Sequence, residues 1–110
     1  MAQYSCMIQE GQAAESMKGE LETRLKALAE ATFGEKPDEV GIAWRVVKKG
    51  FGWTAGEPST TSLIIRSVPQ GWPADEREAF MREICEMWSA TTGCTINEVV
   101  VTTWDGPLPL

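Results

Sequence analysis

Ala90-Thr-Thr-Gly-Cys-Thr-Ile-Asn-Glu-Val99 reads as a helix end, a glycine stop and a strand start. Ala31-Thr-Phe-Gly-Glu-Lys-Pro-Asp-Glu-Val40 repeats it at the same spacing, with Gly34 to Gly93 and Val40 to Val99 both 59 residues apart. Two copies at one offset in a 110-residue chain predict two similar halves, at about 2–47 and 61–105, within a single domain spanning 1–110.

Working outward from the first copy, Ala2, Tyr4, Cys6 and Ile8 alternate with Gln3, Ser5, Met7 and Gln9, the period of a half-buried strand. Met17, Leu21, Leu25, Leu28 and Thr32 then recur every three or four residues, which predicts one helix over 13–32 that Gly34 stops. Gly19 weakens that helix by roughly 1 kcal/mol, too little to cancel it. Residues 40–47 form a second strand, and the glycines at 50, 52 and 56 make 48–59 a loop or a short hairpin.

The second half has the same order. Thr60 to Val68 is a strand rich in β-branched residues, Pro73 opens a helix whose stripe is Phe80, Ile84, Met87, Trp88 and Thr91, and 99–104 is the last strand. At the 59-residue offset Leu21 falls on Phe80, Leu25 on Ile84 and Ala2 on Thr61, with no gap. Strand–helix–strand units have parallel strands and right-handed crossovers. The expected fold is therefore α+β, two β-α-β repeats forming a four-stranded mixed sheet with both helices on one face. The other face is expected to carry Gln3, Ser5, Met7, Ile64, Arg66, Val100 and Trp104, a mixture that predicts burial against another copy of the chain.

Composition narrows the chemistry. The net charge of −6 with scattered Lys and Arg disfavours nucleic acid, which needs a basic face to neutralise phosphates. No apolar run is long enough to span a membrane, and no secretory signal is visible, so a cytoplasmic location is expected. Cys6, Cys85 and Cys94 form neither a C-x-x-C pair nor an even disulfide set, and read as reduced thiols. The chain contains no histidine, which removes Ser-His and Cys-His pairs and the usual zinc sites. Neither metal nor cofactor is expected. Any chemistry falls to an amine, Lys, Arg, a carboxylate, Tyr4 or the backbone.

Two such halves, with Ala31-Thr-Phe-Gly-Glu-Lys-Pro37, Phe51-Gly-Trp-Thr-Ala-Gly-Glu-Pro58 and Asn97-Glu-Val-Val-Val-Thr-Thr-Trp-Asp105, resemble the tautomerase superfamily. In length and layout the chain looks most like the macrophage migration inhibitory factor-like members. The resemblance implies a homotrimer whose sheets surround a channel, with active sites between subunits. It also implies proton transfer by an N-terminal proline uncovered when the initiator Met is removed. Here that position is Ala2. A primary α-amine has an unperturbed pKa of roughly 7.7–8.0, so a processed Ala2 still offers a base near neutrality. If Met1 stays, the amine moves by about 3.3 Å along the strand, enough to spoil proton transfer.

The remaining family positions match unevenly. Lys36 falls where migration inhibitory factor-like members have a pocket-mouth lysine, and Phe51 where oxalocrotonate tautomerase has a pocket aromatic. The dicarboxylate-binding arginines of that enzyme map to Gln12 or Trp72 and to Gly41 or Val100, and are missing. So are the migration inhibitory factor pocket tyrosine and asparagine, which map to Val100 and Thr102. Arg66 lies roughly where other branches carry substrate arginines.

The residues themselves leave alternatives open. Arg66, expected on the face away from the helices, is either an anion clamp or an inter-subunit ion pair. Lys36 is a pocket cation or a solvated loop lysine. Phe51, Trp53 and Trp104 are apolar pocket walls or contacts to a neighbouring subunit, and Tyr4 is a satisfied core phenol. Two functions follow. One is a keto–enol tautomerase or isomerase acting on a small carbonyl or carboxylate compound. The other is a trimer without the proline chemistry that binds a ligand or a protein.

Overall fold

Alternation in Tyr4–Gln9 and the β-branched run Ser62–Val68 build the two central strands of a four-stranded sheet. In chain order the elements are β1 (Tyr4–Gln9), α1 (Ala13–Ser16), α2 (Lys18–Phe33), β2 (Ile42–Val47), the short β3 (Trp53–Thr54) and β4 (Glu57–Pro58), β5 (Ser62–Val68), α3 (Ala74–Thr92) and β6 (Val99–Asp105). The computed structural model describes residues 2–109. Met1, whose removal a catalytic Ala2 requires, lies outside the described residues.

The sheet order is β2-β1-β5-β6, with β1/β2 and β5/β6 parallel and β1/β5 antiparallel. Each parallel pair is joined by a helical crossover, as parallel neighbours require. Both long helices cover one face. Tyr4, Cys6 and Ile8 meet Leu21, Leu25 and Ala29 of α2 and Phe80, Ile84 and Trp88 of α3 in one buried cluster. Burying each large apolar side chain there contributes about 1.5–3 kcal/mol. Phe33 and Phe80 bring the helices together edge to face, their centroids 5.2 Å apart.

The repeated stretch does the same work twice. Gly34 and Gly93 cap α2 and α3 in the left-handed region, at φ of 70° and 79°, where a side chain is penalised. A short 3₁₀ turn follows each, at Pro37–Glu39 and Ile96–Glu98. In each, the last glutamate accepts a backbone N–H from three residues earlier: Lys36 to Glu39 at 2.9 Å, and Thr95 to Glu98 at 2.8 Å. The segment 48–59 is a hairpin, its turn made by Ala55 and Gly56 at φ of 53° and 80°.

Two expectations need correction. The helix over 13–32 is broken at Met17 (φ −109°, ψ 15°), two residues before the weak helix former Gly19, and runs on to Phe33. The second concerns the first strand of each half, where the gapless 59-residue offset fails. Tyr4 lies opposite Arg66 and Cys6 opposite Ile64, and residues directly opposite one another share a face. Core-facing positions of β1 and β5 are therefore even numbers apart, and Ala2 does not correspond to Thr61. A one-residue difference flips every side chain of a strand. Arg66 and Ile64 thus face the helices, not the open side. β1 also begins at Tyr4, with Gln3 in a bend and Ala2 before it.

The open face carries Ser5, Met7, Arg45, Val47, Leu63, Ile65, Val100 and Trp104. Among these Met7, Val100 and Trp104 are 38%, 48% and 47% exposed.

Candidate functional site

At the end of the sheet where β1 starts and β5 and β6 finish, a cleft of about 430 Å³ opens between Gln3, Phe33, Glu35, Arg66, Ser67 and Pro107. Four parts of the chain deliver these groups: the approach to β1, the end of α2, β5 and the segment after β6. The Gly34 stop turns the chain so that Glu35 reaches back towards β5. Gln3 is pinned by both neighbouring strands: its N–H donates to Gly41 O and its carbonyl accepts the Ser67 N–H, each at 2.9 Å. Its side-chain Oε1 also accepts the Gly41 N–H at 2.6 Å. Ala2, half-buried, immediately precedes this anchored residue.

Arg66 is 1% exposed, yet carries a guanidinium. Its Nε–H donates to Ser67 O at 2.7 Å, and Nη2 donates to both Glu35 carboxylate oxygens at 2.7 and 2.9 Å. The guanidinium carbon sits 4.7 Å from the Tyr4 ring centroid and 4.5 Å from that of Phe33, within cation–π reach of both. Nη1 has no hydrogen-bond partner among the described residues.

The Tyr4 phenol and the Cys6 and Cys85 thiols are held protonated by burial. The Tyr4 hydroxyl donates to Leu25 O at 2.9 Å, and burial pushes its pKa up to about 12 although Arg66 opposes the rise. It is the satisfied core phenol that its alternation predicts. Burial, helped by Glu22, pushes the Cys6 thiol up to about 12 as well. Cys85 is also raised, by burial first. None of these is an activated nucleophile. Among the described residues, no three Cys, Asp or Glu side chains gather as a metal cluster.

The residues singled out in the sequence are only partly brought together. Ala2 and Arg66 share the cleft end. Lys36 is exposed beside it and does not line it. Trp104, opposite Ser67 on β6, stands at the same end but borders a shallower surface with Arg77 and Asp105. Phe51 and Trp53 are 78% and 63% exposed at the other end of the sheet, one strand length or about 20 Å away. They line a second cleft, of about 460 Å³, with Met7, Gln9, Val47 and Val100. Sequence reasoning missed Glu35, whose counterpart at the 59-residue offset is Cys94; that charge, present in only one copy of the repeat, was the available signal.

No protein-family description matches the chain by sequence, and no curated protein matches it. Solved structures do. The crystal structure of native Ps01740 is similar, with 27% identity and a TM-score of 0.84, over 94% of this chain and 93% of that one. Pt0534 inactivated by 2-oxo-3-pentynoate gives 23% and 0.81, over 94% and 85%. A fused 4-OT wild-type symmetric trimer gives 20% and 0.77, over 94% and 85%. The mixed sheet with both helices on one face is the fold of these proteins.

Proposed function

We propose that this chain, a member of the tautomerase superfamily by its fold, isomerises a small carbonyl compound bearing a carboxylate in the cleft at the start of β1. The observation that carries this reading is the position of Ala2. It directly precedes Gln3, which is held by β2 and β5 at the wall of a cleft that also contains a buried guanidinium. With Met1 removed, the Ala2 amine takes a proton from the carbon next to the carbonyl, leaving an enolate, and returns it to oxygen to give the enol. A neutral amine suits this role near pH 7. The inactivation of Pt0534 by a 2-oxo acid supports the substrate class.

The active assembly in this reading is a homotrimer, as the fused 4-OT relative is. Packing the open sheet faces together covers Met7, Val100 and Trp104. Phe51 and Trp53, remote from the cleft of their own subunit, then wall the cleft of a neighbour. Lys36 supplies positive potential at the mouth.

One observation favours the second reading, a trimer that binds without catalysis: Arg66 is already neutralised by Glu35, and position 2 is not proline. Intact mass establishes the N-terminus, and phenylpyruvate enolisation is then measured for wild type and Ala2→Pro. Activity in wild type supports the isomerase; activity gained only with proline supports the binder.

A further inference from the structure

The Arg66–Glu35 pair is asymmetric in a way that a purely structural ion pair does not require. Arg66 is immobilised: Nε is bonded to Ser67 O, the plane lies between the Tyr4 and Phe33 rings, and the side chain is 2% exposed. Glu35 is held by far less. It sits between the Gly34 helix stop and Pro37, outside any helix or strand, and its side chain is 31% exposed. Among the described residues its side chain bonds to Nη2 alone. Meanwhile buried Nη1 leaves its donors unused among the described residues, so the guanidinium is not fully satisfied by the pair.

We propose that Glu35 is a resident carboxylate that fills the Arg66 position when the cleft is empty and yields it to the carboxylate of an incoming ligand. The ligand's carboxylate takes over the Nη2 donors that Glu35 holds, and the Glu35 side chain swings outward into solvent. Arg66 ends in a bidentate pair with the ligand, the geometry a guanidinium offers best. The other cleft-lining groups, Gln3, Phe33, Ser67 and Pro107 among them, carry no charge. With Glu35 in place the cleft is therefore close to neutral, and without it the cleft holds one uncompensated positive charge. A carboxylate ligand must compete with Glu35; a neutral ligand need not. The inference rests on the cleft being a ligand site, but not on the Ala2 amine.

The test is calorimetric titration of phenylacetate, and of its neutral amide, into wild type, Glu35→Gln and Glu35→Gln/Arg66→Lys. Glu35→Gln is expected to bind phenylacetate about tenfold more tightly than wild type, with no gain for the amide. Adding Arg66→Lys is expected to abolish the gain. Unchanged or weaker binding in Glu35→Gln, an equal gain for the amide, or no binding in either protein overturns the proposal. A second measurement uses wild type alone, in case Glu35→Gln does not fold: the Arg66 side-chain NH resonances should move on adding phenylacetate and stay with the amide, and the converse contradicts the exchange. Blocking the α-amine abolishes enolisation if Ala2 is the base but leaves phenylacetate affinity unchanged, so the two ideas fail separately.

Discussion

Both carboxylate oxygens of Glu35 rest on one guanidinium nitrogen of Arg66, at 2.7 and 2.9 Å, although Arg66 comes from the core face of β5 and Glu35 from the loop after α2. This contact joins the two halves of the chain at the cleft. At the cleft a buried charge, the Tyr4 and Phe33 rings and the start of β1 converge.

Removing either partner should have unequal effects. Arg66→Ala leaves a void between Tyr4 and Phe33 and should cost about 3–5 kcal/mol, whereas Glu35→Ala leaves the buried guanidinium without its carboxylate but with Nη2 open to water from the Glu35 side, and should cost about 2–3 kcal/mol. Urea unfolding of the two variants checks the order; equal costs would mean that Arg66 is not packed as described.

Tyr4→Phe removes the hydroxyl that bonds Leu25 O and should lower stability by about 1 kcal/mol while leaving enolisation unchanged. A large loss of activity at unchanged fold would make the phenol part of the chemistry, against its burial.

Stability should fall in alkali. Burial raises the Tyr4 hydroxyl from 10.0 and the Cys6 thiol from 9.0, both to about 12. The unfolded chain releases these protons before the folded one does, so their contribution is complete below pH 9.0 and is lost as pH rises towards 12. Urea midpoints at about pH 8 and about pH 10.5 measure the drop, and Cys6→Ala should flatten it.

Gly34→Ala and Gly93→Ala should each cost about 1–2 kcal/mol. An added Cβ meets nothing within 4 Å at either position, so the penalty is backbone conformation alone and should be similar in the two halves. Thermal melts of both variants test this equivalence.

Much of this fold is legible in the sequence because the repeat marks both helix stops and both outer strands at one offset, while the two 3₁₀ turns between them emerge only in the structure. The site is less so. In β5 both alternating sets, Leu63 with Ile65 and Ile64 with Val68, are apolar, so alternation cannot say which set faces the helices. The repeat settles it wrongly, because β1 and β5 are related by an even shift while the helices are related by 59. Glu35 escaped notice because its partner lies 31 residues away and on the opposite face from the one expected. The resemblance places Phe51 in a pocket and the glycine-rich loop suggests Trp53 beside it, yet one protomer holds both at the far end of the sheet from Arg66.

In the proposed isomerase the α-amine of Ala2 transfers the proton. Phenylpyruvate enolisation by protein whose intact mass shows Ala2 at the N-terminus, before and after selective acetylation of that amine, tests it most directly. Acetylation is expected to lower the rate about a hundredfold, with phenylacetate binding retained. Equal rates with and without a free amine would contradict it.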